Sequence, residues 1–267
     1  MDSSQYPARI ARHRIMVMSG KGGVGKTTVA VNLALGLALF GRSVGLLDAD
    51  LTGPNVPKML HMEDQGLEGD DGCLEPALLP VGPEGLKVVS MAFLAAKDQA
   101  VAWKGPLKIS MLRQFVQRID WGDLDYLVVD LPPGTGDEPI SISQLLSPQG
   151  AIIVTTRHPV SLDDAARSIE LASAMKIPVL GIVENMSGLR CPHCGRQVDP
   201  FCQEGAGGTP DELLGVPVLA KIELHSEISR SGDAGRPVIL QSGNPAARSL
   251  EGLVERVIGM LETGTPI

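Results

Sequence analysis

Gly20-Lys21-Gly22-Gly23-Val24-Gly25-Lys26-Thr27, followed by Thr28, decides the fold. The octapeptide fits G-x-x-x-x-G-K-[ST]. It stands between a strand-like run, Arg14–Ser19, and a helical pattern, Lys26–Phe40 closed by Gly41. That context is what a phosphate-binding loop needs. Glycines let backbone N–H groups close around phosphate oxygens, and the helix N-terminus adds partial positive charge. Gly22, Gly23, Val24, Gly25, Lys26, Thr27 and Thr28 are the candidate nucleotide contacts, Lys26 reaching the β- and γ-phosphates and Thr27 a Mg²⁺ ion.

Outward from the loop, short apolar runs alternate with helical patterns. Strands are predicted at Ser43–Asp48, Leu86–Ser90 (with a hairpin partner near Leu74–Leu79), Tyr126–Asp130, Ala151–Thr155, Val179–Glu184 and Val218–Ile222. Helices are predicted at Pro106–Arg118, Ile140–Leu146, Ser161–Met175 with Ser161 as N-cap, and Pro245–Leu261. Continuously apolar strands separated by helices give an α/β fold, a mostly parallel sheet covered by helices on both faces. Residues 1–267 read as a single P-loop domain with an ordered core over about 10–262. Residues 187–210 form a cysteine-containing loop with little strand or helix pattern.

Composition narrows the function. Of 267 residues, 43% are apolar and 20% charged, and the net charge is −8. That balance argues against a nucleic-acid coat or a polybasic membrane binder. Aromatic residues, at 3%, are too few for base-stacking platforms. No uncharged stretch reads as a membrane span, and MDSSQYPARIARHR lacks the apolar core of a secretory signal. A cytoplasmic protein with neither a nucleic acid nor a membrane as partner is expected.

Lys21 adds a second lysine to the loop, in K-G-G-V-G-K-T-T. The pattern resembles the deviant Walker A loop of the family containing MinD, ParA, the arsenite pump ATPase and the nitrogenase iron protein. The resemblance implies that Lys21 crosses a homodimer interface to the partner's nucleotide. It also implies that Asp50 orients the attacking water, that Asp48 holds the Mg²⁺ shell, and that Asn185 contacts adenine, which favours ATP. The catalytic set is then Lys21, Lys26 and Asp50. Asp130 ends Tyr126-Leu127-Val128-Val129-Asp130, a Walker B pattern, and joins Thr27 and Asp48 as a magnesium residue. Gly134, in the following Leu131-Pro132-Pro133-Gly134, has an N–H placed to sense a γ-phosphate.

The chain has four cysteines, Cys73, Cys191, Cys194 and Cys202. Cys191-Pro192-His193-Cys194-Gly195 admits three readings: half a zinc ribbon, a dithiol redox pair, or half an iron–sulfur site. A ribbon needs a second C-x-x-C, which the chain lacks. A redox pair should open a helix after a strand, and this one lies in a glycine-rich loop. A Cys₄ cluster needs four thiolates, which a two-fold dimer would supply as two plus two. His193 reads as a loop spacer, Cys73 as an incidental thiol, and Cys202 as either a third ligand or a small buried residue.

The phosphate loop, D-A-D-L-T-G-P-N-V-P (48–57), W-K-G-P-L-K (103–108), D-W-G-D-L-D-Y-L-V-V-D-L-P-P-G-T-G-D-E-P (120–139), E-N-M-S (184–187) and C-P-H-C-G (191–195) together resemble the Mrp/ApbC family of iron–sulfur cluster carrier ATPases. The resemblance spans about residues 10–262. It implies a homodimer bridging a [4Fe–4S] cluster through Cys191 and Cys194 of both subunits, Mg²⁺-dependent ATP hydrolysis, and cluster transfer to apo iron–sulfur proteins. Glu223 stands where the family usually has proline, beside the adenine pocket of relatives. Two alternatives differ in kind: a MinD/ParA-like spatial switch and an ATPase dimer with a structural zinc. A membrane-binding switch needs a basic amphipathic C-terminal helix. Here no Lys or Arg follows Arg256, and Leu250, Leu253, Val254, Val257, Ile258 and Leu261 suit core packing.

Overall fold

The computed structural model describes residues 10–50, 53–69, 73–94, 113, 116–191, 193–199, 201 and 210–264. In chain order the elements are β1 (Ala11–Met18), α1 (Lys26–Leu39), β2 (Val44–Asp48), α2 (Val56–Met59), β3 (Glu68–Gly69), β4 (Leu74–Glu75), β5 (Ala77–Leu79), β6 (Leu86–Ser90) and β7 (Leu124–Asp130). There follow α3 (Asp137–Leu146), β8 (Gly150–Thr155), α4 (Pro159–Ala174), β9 (Val179–Asn185), β10 (Leu189–Arg190), β11 (Gln197–Val198), α5 (Pro210–Leu214), β12 (Val218–Ile222), α6 (Ser226–Asp233) and α7 (Arg248–Ile258). Eight strands make one sheet in the order β12-β9-β8-β1-β7-β2-β6-β5. Only β5 runs antiparallel within that sheet.

Period-2 alternation divides the sheet's side chains between two cores. Ile15, Val17, Val44, Leu46, Tyr126 and Val128 pack on the face covered by α1 and α7. Met16, Met18, Leu47, Leu127 and Val129 pack on the other face, with Ile142 of α3 and Ala165 and Ala172 of α4. Asp48 shares the parity of Val44 and Leu46, and Asp130 that of Tyr126 and Val128. Both carboxylates therefore face α1, which begins at Lys26. α1 is apolar all round because it lies between the sheet and α7. A side chain at Gly36 would collide with Val254 and Ile239, so glycine permits that close packing. From α7, Leu250, Leu253, Val254 and Val257 are buried in the same core, as their spacing predicts.

Several boundaries differ from expectation for identifiable reasons. Pro76 separates β4 from β5, since proline cannot serve a ladder on both sides. The antiparallel hairpin partner of β6 is accordingly Ala77–Leu79, while Leu74–Glu75 pairs with Glu68–Gly69. Ser161 is not an N-cap. Pro159 takes the first helical position, where its missing N–H costs nothing, and His158 precedes it. Ser161 is instead buried, with its hydroxyl bonded to Thr156 at 2.9 Å and its carbonyl accepting from Thr155 Oγ1 at 2.9 Å. The C-terminal helix is a 3₁₀ turn at Pro245–Ala247 followed by α7. α6, which sequence reading missed, is capped by His225 Nδ1 accepting from Glu227 N–H at 3.2 Å. Of the helix predicted at Pro106–Arg118, only Arg113 and residues 116–118 are described, as helical. The rest, the W-K-G-P-L-K motif, Leu51, Thr52, Pro192 and Cys202 lie outside the described residues.

Among the described residues no helix is long and apolar enough to cross a membrane.

Candidate nucleotide site and cysteine hairpin

The loop between β1 and α1 opens at the C-terminal edge of the parallel strands, where α/β sheets bind ligands. Gly23 and Gly25 hold φ of 81° and 87°, and Gly25 occupies the N-cap position of α1 in the left-handed region. A Cβ at Gly25 would lie 2.1 Å from Asn185 Nδ2, so both conformation and space demand glycine. A cavity of about 380 Å³ follows the loop, lined by Lys21, Gly22, Gly23, Gly25, Lys26, Thr27 and Thr28, and on its far side by Asp50, Gly53, Asn55 and Pro133. Ser19 also lines it and donates its hydroxyl to the Lys21 carbonyl at 3.0 Å. This cradle fits a phosphate chain: backbone donors line a concave wall with a lysine at its floor.

Beneath the cavity the carboxylates form a buried cluster. The register pairs Asp48 with Asp130 on one side and with Ser90 on the other. Lys26 Nζ lies 2.6 Å from Asp130 Oδ1, and Thr27 Oγ1 donates to Asp130 Oδ2 at 2.7 Å. Asp48 accepts from Asp50 N–H at 3.2 Å, Val56 N–H at 3.2 Å and Ser90 Oγ at 3.0 Å. Burial, with repulsion from Asp130 second, pushes the Asp48 carboxyl up to about 7, against the pull of these three donors. Burial likewise raises Asp130, and Lys26 opposes that rise. Two buried carboxylates stand on adjacent strands, and the lysine beside them pairs with Asp130 alone; that negative excess fits a divalent cation held with Thr27. Ser90 was not singled out in the sequence. A serine ending a strand carries no signal of its own until the register places it beside Asp48.

Asp50 lies beyond the end of β2, lines the cavity, and accepts from Gly53 N–H at 3.1 Å. Two residues tied to nucleotide in the sequence reading hold other partners. Gly134 N–H donates to the Ser19 carbonyl at 2.9 Å, which fastens the segment after β7 to the phosphate loop. Asn185, ending β9 and buried, donates Nδ2 to the Val24 carbonyl at 2.8 Å. Its amide nitrogen latches the loop backbone, leaving its oxygen for other contacts.

The cysteine segment has more structure than its sequence suggests. β10 and β11 form a short antiparallel hairpin, Leu189 opposite Val198 and Arg190 opposite Gln197. Two-residue strands are too short to leave a period-2 pattern. Cys191 N–H donates to the Arg196 carbonyl at 2.9 Å, and Gly195 N–H to the Cys191 carbonyl at 2.9 Å. Gly195 turns the chain with φ 69°. The tip therefore folds back on Cys191. The backbone N–H groups of Cys194 and then His193, and the Cys194 side chain, hold the Cys191 thiol below its usual range. Such donors stabilise thiolate, the form that binds metal. Both cysteines are solvent-accessible, and Cys73 lies apart, exposed near the β3–β4 turn. Among the described residues, no three His, Cys, Asp or Glu side chains gather to hold a metal within this chain.

The hairpin is anchored at its base. Leu224 N–H donates to the Gly188 carbonyl at 2.7 Å, and Ser187 N–H to the Ile222 carbonyl at 2.9 Å. Glu223, which directly follows β12, lies 3.6 Å from Arg190 of β10. Behind it Arg157 stands 2.9 Å from Glu184 and 3.1 Å from Asp199, residues that sequence reasoning did not single out.

The chain is similar to known proteins over most of its length. The family described as ParA, NUBPL iron-transfer P-loop NTPase, matches residues 10–258. An iron–sulfur cluster carrier protein of Methanocaldococcus jannaschii is 43% identical over 254 residues, 94% of this chain and 86% of that protein. A protein of the same description from Synechocystis is 43% identical over 247 residues, 92% of this chain and 70% of its own length. Among solved structures, a nucleotide-binding protein of Archaeoglobus fulgidus in complex with ADP superposes with a TM-score of 0.72 at 37% identity, covering 89% of this chain and 90% of that one. The septum site-determining protein MinD of Pyrococcus horikoshii, complexed with Mg-ADP, shares the fold with a TM-score of 0.69 at 24% identity, over 96% of this chain and 99% of its own.

Proposed function

Since the chain belongs to the NUBPL iron-transfer P-loop NTPase family, we propose that it is an ATP-hydrolysing carrier of iron–sulfur clusters. The observation that carries this reading is the folded-back Cys191–Cys194 tip, presented six residues beyond Asn185, which latches the phosphate loop. Relatives described as iron–sulfur cluster carriers, about two-fifths identical over most of the chain, support it.

In this reading the whole chain is one nucleotide-binding domain, with residues 187–210 as its cysteine loop. Two accessible thiols, one held toward thiolate, are half of a four-thiolate set, so two chains related by a two-fold axis would hold one [4Fe–4S] cargo between their hairpins. The loop amides and Lys26 bind the ATP phosphates, and Lys21 reaches the partner's nucleotide. Asp50 orients the attacking water in the cavity. Thr27, Asp48 and Asp130 would hold Mg²⁺, which offsets phosphate charge when bound. The cargo passes to apo iron–sulfur proteins. A cytoplasmic setting, without nucleic acid or membrane as partner, agrees with a net charge of −8 and with an α7 whose apolar residues are spent on the core.

Anaerobic reconstitution tests the reading. Iron, sulfide and zinc are measured per chain, beside the sedimentation mass and Mg²⁺-dependent ATP turnover. About four iron and four sulfide per dimer are expected. A dimer holding stoichiometric zinc and refusing iron would overturn it in favour of a structural metal.

A further inference from the structure

Arg157 joins two parts of the molecule that the proposed function requires to communicate. It lies in the segment after β8. Its Nε is 2.9 Å from Glu184 Oε1 and its Nη1 3.1 Å from Asp199 Oδ2. Glu184 is the penultimate residue of β9 and 1% exposed; its Oε2 is buried and accepts no hydrogen bond, with Lys221 Nζ at 3.9 Å. Asp199 follows directly on β11, the returning strand of the cysteine hairpin, and accepts from Phe201 N–H at 3.1 Å. The next residue after Glu184 is Asn185, bonded to the Val24 carbonyl of the phosphate loop at 2.8 Å.

A continuous path thus runs from the phosphate loop through Asn185 and Glu184 to Arg157, and on to Asp199 at the foot of the hairpin. The covalent route between the same sites bends sharply. Met186 adopts φ 55°, a left-handed conformation that only a surrounding lock sustains in methionine, and Gly188 adopts φ 132°. The hairpin therefore leaves β9 through a tight corner, and its returning strand is tied to the same β9 by one guanidinium. A guanidinium suits this work, since its planar fork donates in fixed directions to two carboxylates at once.

We propose that Arg157 is a positioning residue that couples nucleotide occupancy of the phosphate loop to the seating of the Cys191–Cys194 hairpin. Nucleotide displaces or stiffens the loop at Val24; Asn185 and Glu184 follow, and Arg157 passes the shift to Asp199. This deepens the carrier reading and rests on its assignment of the nucleotide site and the cysteine pair.

The test reads thiols, not a cluster, so its failure is distinguishable from a failure to bind iron and sulfide. The reduced full chain is alkylated with iodoacetamide, with and without Mg²⁺ and a non-hydrolysable ATP analogue. Trypsin, cutting after Arg190 and Arg196, isolates Cys191 and Cys194 in one peptide free of Cys73 and Cys202. In the parent protein, nucleotide should change the alkylation rate of that peptide by about fivefold. Arg157→Lys keeps a cation beside Glu184 but loses the fork, and Asp199→Ala removes the hairpin arm together with the carboxylate that accepts Phe201 N–H. Each should bring the ratio of the two rates close to one, with nucleotide affinity unchanged. A merely structural anchor would raise the nucleotide-free rate and leave the ratio at the parent value, which overturns the proposal. So does a parent protein without a nucleotide response, or a variant that loses nucleotide affinity.

Discussion

Lys26 and Asp130, 104 residues apart, meet at 2.6 Å in the buried floor of the nucleotide cavity. The lysine that would meet the phosphates is thus oriented by the carboxylate that would face the metal, with Thr27 on the other oxygen of Asp130. Lys26→Ala removes a phosphate ligand and strands Asp130. ATP hydrolysis should fall by about two to three orders of magnitude, as when one preorganised electrostatic donor is lost. Breaking a buried pair from one side should also cost about 3 kcal/mol of stability. Steady-state phosphate release and urea unfolding check the two effects, and parent-like turnover would remove Lys26 from the catalytic set.

Asp50 separates chemistry from binding. It lines the cavity, and its Oδ1 accepts the Gly53 N–H, a bond that asparagine preserves. Asp50→Asn should therefore leave ADP affinity and melting temperature near the parent values while lowering kcat by about a hundredfold, the usual scale of general-base or water-orienting groups. An equal loss in affinity and kcat would make Asp50 a binding residue.

The sheet and the phosphate loop were legible because their signals are local. Gly25 and Lys26 must be adjacent, and a buried parallel strand such as Leu124–Asp130 declares itself by its run of apolar residues. Asp48, Asp50 and Asp130 were legible as strand ends beside a loop of known chemistry. Ser90 beside Asp48, Asn185 on Val24, and Arg157 between Glu184 and Asp199 were not, because each depends on strand register or on a fold-back that no spacing encodes. Pro76 and Pro159 could have corrected two boundaries, since each states where a ladder breaks or a helix begins.

The raised Asp48 carboxyl makes the site pH-dependent in a definite direction. Its folded pKa of about 7 exceeds the ordinary 3.8, chiefly through burial. Between those values the folded chain binds more protons than the unfolded one, so this group's contribution to stability is full below about 4 and is lost as pH rises toward 7. A cation held by Asp48 must displace that proton. Mg-ADP binding near pH 6 should therefore release more protons than binding near pH 8.5, and Mg²⁺ affinity should weaken on acidification. Calorimetry in buffers of different ionisation enthalpy measures the release, and equal proton counts at both pH values would refute a magnesium role for Asp48.

The cysteine hairpin separates a cargo site from incidental thiols. Cys191 and Cys194 sit on one folded-back tip, where backbone N–H groups hold the Cys191 thiol toward thiolate, whereas Cys73 lies at a different turn. Cys191→Ala or Cys194→Ala leaves one hairpin thiolate per chain, two per dimer, where the cluster takes four. Either variant should lose the visible absorbance and the bound iron and sulfide after anaerobic reconstitution, with ATP turnover still measurable because the phosphate loop is untouched. Cys73→Ala should reconstitute as the parent does. The double variant is the stringent case: iron and sulfide retained in the absence of both cysteines would move the cargo away from the hairpin. If both single variants lose the cluster while keeping the dimer, the thiolates hold the cargo and other contacts hold the subunits together. If dimer and cluster vanish together, the cargo is itself the cement of the interface, and its release to a client must be accompanied by separation of the subunits.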